Sequence, residues 1–481
     1  MEKIEVVMVM APMLRHLIPA IELAKILLQR ANCLAISFLM MNSTLDPEAT
    51  AKIESLTASC KFDRLHFRHL PMPDISQWNI PHQGIYLHQL TEFHKSNVRE
   101  TVSKIKGFAG IIVDMINTPM MDIADELSVP SYILFTCSAA CLGVMLHFQA
   151  LEDEQTIKTC HLLQRETKLV IPSFTNEVPI SVLPIFTTME GTWSGRFLNH
   201  TRNYRRAKGI IINTFADFES HAIDSLSMKH SYGTTGVPTT YPVGLILNRS
   251  QIQAESTKGH LELMNWLDDQ PAKSVLFICF GSTGSFKLDQ VKEIALGLGK
   301  SGYRFIWVLR RPPAMKGGFA GEFENHGPLL PEGFLNRTAS IGKVVSWVPQ
   351  LAILSHPAVG GFVSHCGWNS TLESIWCGVP IATWPLLGDQ QLNAFQLVKE
   401  LRIAVEISLD YNEANEHQPL VKAGQIEKGI REVMDGENEV RKRVKELSEK
   451  SRQAMKEGGS SHVTFENLIH TICSSRPKSG V

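Results

Sequence analysis

Residues 347–390 read WVPQLAILSHPAVGGFVSHCGWNSTLESIWCGVPIATWPLLGDQ. An aromatic residue and an amide, Trp347 and Gln350, come first, and an apolar strand-like run then leads into a turn and a helix-like segment. The segment closes on two adjacent polar side chains, Asp389 and Gln390. It therefore holds a stacking surface, a turn suited to phosphate and a polar pair suited to hydroxyl groups. Together these parts predict a site for a nucleotide sugar.

The length and composition of the chain limit its class. A chain of 481 residues is too long for one hydrophobic core and predicts two domains of about 200–250 residues. The formal net charge of −1 argues against nucleic acid as the main partner. Nine cysteines without a CxxC pair form a poor framework for disulfides or zinc, which predicts a reducing compartment. The apolar N-terminus is predicted to be a buried strand, and no run reaches the ~20 apolar residues of a membrane span. We therefore expect a cytoplasmic protein.

Strand-like and helix-like segments alternate along the chain, which predicts parallel sheets covered by helices. The polar stretch Gln253–His260 separates two such series, and Arg310–Leu330, rich in Gly and Pro, is predicted to be an exposed loop. Strands are predicted at residues 5–11, 34–41, 109–113, 131–135, 275–280, 304–309, 343–346, 361–364 and 381–384, and the helix after the first strand is predicted to have Pro19 near its first turn. The fold class is α/β, with two Rossmann-like halves facing across a cleft.

The turn between the first strand and its helix, Pro12–His16, is a candidate site, because ligands of parallel sheets lie beyond the carboxyl ends of the strands. The turn lacks a GxGxxG motif, so an NAD-type phosphate site is not expected. His16 is suited to removing a proton there. The alternative is a solvated loop histidine.

Asp114 ends another predicted strand of the same half. A carboxylate at that edge can bind one imidazole nitrogen of His16, hold the tautomer and stabilise the imidazolium formed during reaction. Taken alone, Asp114 also fits a helix cap or a surface acid. The functional interpretation of each residue is favoured by the other, because both lie at corresponding ends of strands.

The turn that follows Gly361–Ser364 is predicted to bind a diphosphate. Asn369 and Ser370 are predicted as helix N-cap residues, and the free N–H groups and dipole of that helix attract anions. His365 and Ser282 are further donors. Trp347 is predicted to stack on a base and Glu373 to accept from ribose hydroxyls, although a tryptophan is more often a core residue and Asp389 also fits an N-cap.

Residues 347–390 closely resemble the signature box of the plant family 1 UDP-dependent glycosyltransferases, which have the GT-B fold; all forty-four positions are filled without a gap. The resemblance extends to HLIPAIELAK from His16, to the run around Asp114 and to WLDDQPAKSVLFICFGSTGSF from Trp266. It is looser in Asp46–Gly107 and Thr156–Tyr204. It implies an acceptor-binding domain at residues 1–245, a UDP-sugar-binding domain at 246–457, and a C-terminal helix at about 458–481 that packs back on the first domain.

The resemblance also implies a role for each site residue. His16 is implied as general base and Asp114 as its partner. The donor-binding residues implied are Trp347 stacking on uracil, Val348 reading its edge through the backbone, Gln350 and Glu373 on the ribose, Ser282, His365, Asn369 and Ser370 on the diphosphate, Gly367 in the same turn, and Trp368, Asp389 and Gln390 on the sugar. In this family glutamine at the last position accompanies glucose, so that Gln390 favours UDP-glucose, with xylose, rhamnose or another sugar as the alternative.

The implied reaction is one inverting displacement on UDP-glucose by an acceptor hydroxyl. No Asp-rich metal motif is visible, so we expect neither a metal ion nor another cofactor. The expected acceptor is a hydrophobic plant small molecule: a flavonoid, another phenolic or a terpenoid. Phe135–Phe148 and Val182–Phe197 are apolar enough to line its pocket, although a core helix has the same composition. We expect a monomer.

Arg15 departs from the family pattern, which has glycine immediately before the histidine. Because glycine adopts backbone conformations that arginine resists, the local turn is expected to differ. A catalytically silent UDP-sugar-binding protein, with Arg15 as the lesion, is therefore an alternative to the transferase. A UDP-sugar epimerase on the same fold is a second alternative. The complete box together with His16 and Asp114 favours the transferase.

Overall fold

The structure is a computed structural model that describes residues 4–42, 47–80, 83–159, 167–184, 187, 192–252, 258–312, 320–412 and 418–474. In the first half, seven described strands form a parallel sheet in the order β3-β2-β1-β4-β5-β8-β9. They are β1 Ile4–Val9, β2 Leu34–Met40, β3 Leu65–His69, β4 Phe108–Asp114, β5 Ser131–Phe135, β8 Gly209–Ile212 and β9 Thr240–Pro242, while β6 Lys168–Leu169 and β7 Val178–Pro179 pair separately.

The second half repeats this plan with a parallel sheet in the order β12-β11-β10-β13-β14-β15. Its described strands are β10 Val275–Cys279, β11 Arg304–Val308, β12 Gly342–Val345, β13 Val359–Ser364, β14 Ile381–Thr383 and β15 Ala404–Glu406. In both sheets the strand order reverses beside the first strand, between β1 and β4 and between β10 and β13. Ligands of doubly wound sheets bind at such reversals.

Helices cover both faces of each sheet. Those of the first half are α1 Leu14–Arg30, α2 Pro47–Ser59, α3 Gln83–Ser103, α4 Met121–Glu126, α5 Ala139–Gln155, α6 Thr192–Tyr204 and α7 Ser220–Ser227. Those of the second half are α8 Lys258–Asp268, α9 Leu288–Ser301, α10 Phe334–Thr338, α11 Gln350–Leu354, α12 Trp368–Cys377, α13 Gln390–Phe395, α14 Ala423–Met434, α15 Glu439–Met455 and α16 Ser460–Ser474.

The cores explain why the strands are apolar on both faces. Val7 of β1 packs into one hydrophobic cluster and Met8 into the cluster on the opposite face. Strands buried on both faces read as continuous apolar runs instead of alternating ones. Phe465 and Leu468 of α16 lie in the same cluster as Met8, so the last described helix contacts the first sheet. The boundary at residues 245 and 246 stays a prediction.

The α/β class and the two parallel sheets are confirmed, with two local differences. The helix α1 begins at Leu14, because the carbonyl of Met13 already accepts the N–H groups of His16 and Leu17. Pro19 is therefore the sixth residue of α1 and not a first-turn residue. The predicted loop at 310–330 is exposed only in part, since Arg310 is buried. Residues 313–319 of that loop, 253–257 of the predicted separator, and 475–481 lie outside the described residues.

Candidate active site

A cavity of about 980 Å³ lies between the carboxyl edges of the two sheets. The first half contributes residues that follow β1, β4 and β5, and the second half contributes residues that follow β10, β13 and β14. Each sheet therefore presents its strand-order reversal to the same space. The cavity is the meeting point expected for two ligands held by two domains.

His16 and Asp114, 98 residues apart in sequence, are in direct contact. Nδ1 of His16 lies 2.8 Å from Oδ2 of Asp114, and both side chains are buried. The carboxylate also accepts the N–H of Ile116 on Oδ1 at 3.1 Å and the N–H of Ala11 on Oδ2 at 3.4 Å. The polypeptide at the ends of β1 and β4 therefore orients Asp114 toward the histidine.

This contact determines which nitrogen of His16 carries the proton in the neutral ring. A carboxylate is only an acceptor, so Nδ1 must donate, and Nε2 keeps its lone pair. His16 lines the cavity, which makes its Nε2 available to a hydroxyl group there. A carboxylate-oriented imidazole is the arrangement of a general base.

Arg15 causes no distortion of the turn. It is the second residue of α1, and helical backbone is open to arginine as well as to glycine. Arg15 therefore does not occupy a conformation that favours glycine, and the expectation that this turn differs from that of the family stays a prediction. The exposed guanidinium lies at the cavity wall, where Nη2 contacts Sδ of Met13 at 3.3 Å.

Trp347, Gln350 and Glu373 all line the cavity. The Trp347 side chain is 56% exposed, which is unusual for a tryptophan and leaves a ring face for stacking. Nε2 of Gln350 donates to Oε2 of Glu373 at 2.7 Å and to Oγ of Ser370 at 2.8 Å. Burial raises the pKa of Glu373 to about 7, and the hydrogen bond from Gln350 opposes that rise.

His365 lies between two glycines at the base of the cavity. A Cβ atom on Gly281 or on Gly367 would be 2.6 Å from Nε2 of His365, so both positions need glycine to leave room for the ring. Burial lowers the pKa of His365 to about 4, which keeps the imidazole neutral at pH 7. Its Nδ1 is buried without a hydrogen-bond partner among the described residues.

The N-terminus of α12 faces the cavity. The N-cap is Gly367, and no described side chain caps the helix. The prediction of Asn369 and Ser370 as N-cap residues is therefore wrong, because the helix already begins at Trp368. The N–H of Thr371 makes the first bond of the helix, to the carbonyl of Gly367 at 3.0 Å. The N–H groups before it point out of the helix end, as phosphate sites require.

The ring of Trp368 is buried and contacts other parts of the protein. Its Nε1 donates to the carbonyl of Asn213 at 2.9 Å, and the ring stacks on Phe218 with centroids 5.4 Å apart. The side chain is 4% exposed. The indole N–H is therefore engaged by the first half of the chain, and the backbone of Trp368 remains as a donor at the helix end.

Asp389 and Gln390 are held by their neighbours. Asp389 occupies the N-cap position of α13 without capping it, and its Oδ2 accepts Nδ2 of Asn393 at 3.0 Å. Oε1 of Gln390 accepts the N–H groups of Leu386 at 2.9 Å and Leu387 at 3.0 Å. The amide oxygen of Gln390 thus faces the backbone, which leaves its NH₂ group as the donor.

Ser282 and Val348 also line the cavity, so the structure brings all the predicted donor-side residues to its wall. Sequence reasoning missed Asn393, a buried residue that donates to Asp389 and to the carbonyl of Cys366 at 3.0 Å. Its position four residues after Asp389 in a helix-like pattern could have identified it, because residues at this spacing are neighbours on a helix surface.

The acceptor side was predicted least well. Of Phe135–Phe148, only Thr136, Cys137 and Met145 line the cavity, because α5 is surrounded by core residues. Of Val182–Phe197, the described lining residues are Arg196 and Phe197, and residues 185–186 and 188–191 lie outside the described part. Sequence reasoning missed the polar lining residues Arg196, His200 and His88. The first two are four residues apart on one helix, a spacing that could have identified them.

Within the described ranges, no group of three or more His, Cys, Asp or Glu residues is placed to hold a metal ion. Of the helices that the structure describes, none combines the length and apolar character needed to cross a membrane.

The chain is similar to known proteins along nearly its whole length. The family described as UDP-glucoronosyl and UDP-glucosyl transferase matches residues 234–419. A protein named UDP-glucose flavonoid 3-O-glucosyltransferase 6, from Fragaria ananassa, is 44% identical over 98% of this chain and 99% of its own.

Solved structures agree with this likeness. A UGT transferase from Siraitia grosvenorii in complex with UDP has 40% identity and a TM-score of 0.86, covering 98% of this chain and 100% of that one. Medicago truncatula UGT71G1 complexed with UDP-glucose has 33% identity and a TM-score of 0.84, covering 98% of each chain. The resemblance of residues 347–390 and the GT-B fold are thereby confirmed. The chain belongs to the plant UDP-glycosyltransferases and is a glycosyltransferase enzyme.

Proposed function

We propose that this enzyme transfers glucose from UDP-glucose to a hydroxyl group of a hydrophobic plant small molecule (a flavonoid, another phenolic or a terpenoid). The observation that carries the proposal is that His16, oriented by Asp114, faces the same cavity as Trp347 and Gln390. A base beside a nucleotide-sugar site is the arrangement that a direct transfer needs. The name of the Fragaria relative and the UDP-glucose in the Medicago structure support this donor and acceptor class.

The donor is proposed to lie along the wall formed by the second half of the chain. The exposed ring of Trp347 stacks on uracil, whose edge meets the backbone of Val348. The remaining roles are ribose binding by Gln350 and Glu373, diphosphate binding by Ser282, neutral His365 and the α12 residues Gly367, Asn369 and Ser370, and sugar binding by Asp389, the NH₂ group of Gln390 and the backbone of Trp368.

The reaction is proposed to be a single inverting displacement. Nε2 of His16 takes the hydroxyl proton while the acceptor oxygen attacks the anomeric carbon. The bond from that carbon to the β-phosphate oxygen breaks, and UDP leaves on the opposite face with the electron pair. Asp114 stabilises the imidazolium, and the N-terminus of α12 stabilises the charge that develops on the diphosphate.

The deciding experiment is mass spectrometry of the purified protein with UDP-glucose and a mixed panel of phenolic and terpenoid acceptors. A product heavier by one hexosyl unit is expected. Calorimetric binding of UDP without any product would favour the catalytically silent binding protein. Conversion of UDP-glucose into another UDP-hexose without an acceptor would favour the epimerase.

Three further expectations belong to this proposal. The reaction needs no metal ion or other cofactor, because helix dipole and neutral donors stabilise the leaving diphosphate. The enzyme works as a monomer, since both substrates contact one chain. It acts in the cytoplasm, a reducing compartment, as the scattered cysteines predict.

A further inference from the structure

The charges on the cavity wall are unevenly divided between the two halves of the chain. Among the described lining residues, the carboxylates Glu322, Glu373 and Asp389 all come from the second half. The described lining residues 13–204 contribute the cations Arg15, Lys52 and Arg196 and no carboxylate. The charged side chains that line the cavity from the first half are therefore cations, whereas the second half contributes three carboxylates and Arg310.

Arg196 is the most informative of these cations. It lies on α6 in the first half of the chain and is partly buried at the cavity wall. Its Nη1 is buried without a hydrogen-bond partner, and the guanidinium forms no ion pair within the described part of the chain. Elsewhere on the same helix Arg202 is paired, with Nη2 at 2.6 Å from Oδ1 of Asp153. A partly buried guanidinium without an anion is costly unless a ligand supplies one.

His200, one helical turn after Arg196, adds a neutral donor to this site. The hydroxyl oxygen of Thr118 accepts Nδ2 of Asn203 at 3.0 Å and lies 2.8 Å from Nδ1 of His200. In the tautomer in which this hydroxyl donates to Nδ1, the imidazole proton lies on Nε2, and His200 lines the cavity. Burial lowers the pKa of His200 to about 4, and the charge of Arg196 contributes to that fall.

The charge of Arg196 also acts on His88 of α3. Burial lowers the pKa of His88, and the next largest cause is the charge of Arg196. The guanidinium therefore acts on the imidazoles of α3 and α6 together. The nearby carboxylate of Asp114 is already bound by His16 and two backbone N–H groups, so that it does not serve as the counter-ion of Arg196.

We propose that Arg196 and the Nε2–H of His200 bind a carboxylate group of the acceptor, so that the enzyme prefers hydroxy acids to the corresponding neutral esters. The inference rests on the proposed glucosyl transfer and specifies its acceptor class. A guanidinium suits a carboxylate because its planar fork donates two parallel hydrogen bonds. With the carboxylate held on α6, the hydroxyl at the other end of the acceptor is left for His16.

The test compares 4-hydroxycinnamate with its methyl ester, two acceptors that differ only at the carboxyl group. In the unmodified enzyme, kcat/KM for the acid is expected to exceed that for the ester by about tenfold or more, the effect of one charge-assisted hydrogen bond. Arg196→Met is expected to bring the ratio of kcat/KM for the acid to kcat/KM for the ester, measured within that one variant, close to one. Arg196→Lys keeps the charge without the fork and is expected to be intermediate. Arg202→Met, which removes an arginine of the same helix outside the cavity, is expected to keep the preference.

A second readout does not depend on either probe being a substrate. Cinnamate, which has no hydroxyl, is expected to inhibit transfer to a neutral phenol in the unmodified enzyme but not in Arg196→Met. Methyl cinnamate, which has no carboxylate, is expected to inhibit the two enzymes equally. Equal kcat/KM for acid and ester together with equal inhibition in both enzymes would overturn the proposal. A product of 4-hydroxycinnamate in which glucose is bound to the carboxyl group would also overturn it, because the carboxylate would then lie at His16. Mild alkali identifies such a product, since it cleaves the glucose ester. Failure of the proposed function differs: no acceptor of the panel, neutral or acidic, would then be glucosylated.

Discussion

The side chain of Asn369, in the second half of the chain, donates from Nδ2 to the backbone carbonyl of Arg15, in the first half, at 3.0 Å. The carbonyl is available because Pro19, four residues later in α1, has no N–H for the usual helical bond. The helix that carries His16 is thus tied to the N-terminus of α12, where the diphosphate is proposed to bind. The same hydrogen bond therefore links the proposed diphosphate site to the helix that positions His16.

Asn369→Asp tests this shared contact. An aspartate has no N–H to give to the carbonyl of Arg15, and it places a negative charge beside the diphosphate. In Asn369→Ala only the hydrogen bond is lost, and we expect KM for UDP-glucose to rise by about 5–10-fold. In Asn369→Asp we expect KM for UDP-glucose to rise further. Initial-rate kinetics of both variants measure this. Equal KM values in Asn369→Asp and the unmodified enzyme would argue against both contacts.

His16→Ala is expected to abolish glucosyl transfer while UDP still binds, because Nε2 of this ring is the proposed base. Asp114→Asn is expected to lower kcat by about 10²–10⁴-fold, since the amide stabilises neither the tautomer nor the imidazolium. Product formation and calorimetric UDP titration check both. Near-normal turnover in His16→Ala would remove His16 from the mechanism.

Gly367→Ala isolates the contribution of His365. The backbone angles of Gly367, φ −61° and ψ 140°, are open to alanine, so the fold should be unaffected. The added Cβ would lie 2.6 Å from Nε2 of His365 and must displace the ring. We expect KM for UDP-glucose to rise by about 5–10-fold.

Gly299→Ala is the matched control for that substitution. It lies in α9, and an added Cβ would meet no heavy atom within 4 Å. Its KM should equal that of the unmodified enzyme, while its stability rises by up to about 1 kcal/mol from helix propensity. A Gly367→Ala enzyme with the kinetics of this control would show that His365 does not contribute to donor binding.

Glu373 predicts a pH dependence of UDP binding. Its pKa of about 7 in the free enzyme means that it is half protonated near neutral pH. Ribose hydroxyls donate to the ionised form and favour it, so binding should release a proton. The affinity for UDP should then rise with pH up to about 7, by up to about tenfold per pH unit, and level off above it.

Calorimetry at several pH values, in buffers of different ionisation enthalpy, measures this release. Glu373→Gln keeps an acceptor oxygen but cannot titrate. The phosphate of UDP contributes equally to the pH dependence of binding in both enzymes, so that the difference between them reports Glu373 alone. The same pH profile in Glu373→Gln and the unmodified enzyme would exclude Glu373 as the titrating group.

Removal of divalent metals is expected to leave the rate unchanged. The groups proposed to stabilise the leaving diphosphate are neutral His365 and the N-terminus of α12, neither of which needs a cation. Turnover measured after dialysis against EDTA checks this. Loss of activity that magnesium or manganese restores would show that a metal ion takes part.

The strands and the donor box were predictable because their information is local. Strands buried on both faces are continuous apolar runs, and all the candidate donor-side residues except Ser282 lie within the forty-four consecutive positions 347–390. Besides the missed residues of the acceptor side, the errors concern the ends of helices. The helix α12 begins one residue before Asn369, and α1 begins two residues before His16, because backbone hydrogen bonds that no residue pattern specifies determine where a helix starts.

The sequence by itself determined the α/β class, the two series of strands and the candidate residues of the nucleotide-sugar site, since periodicity and motif spacing are properties of neighbouring positions. Only the tertiary structure decided that His16 meets Asp114 at 2.8 Å, that Gly367 makes room for His365, and that Arg196 has no described counter-ion. These contacts join residues that are distant in sequence or depend on side chains from several elements. Their distances follow from the packing of whole sheets and helices against each other, which no single segment encodes.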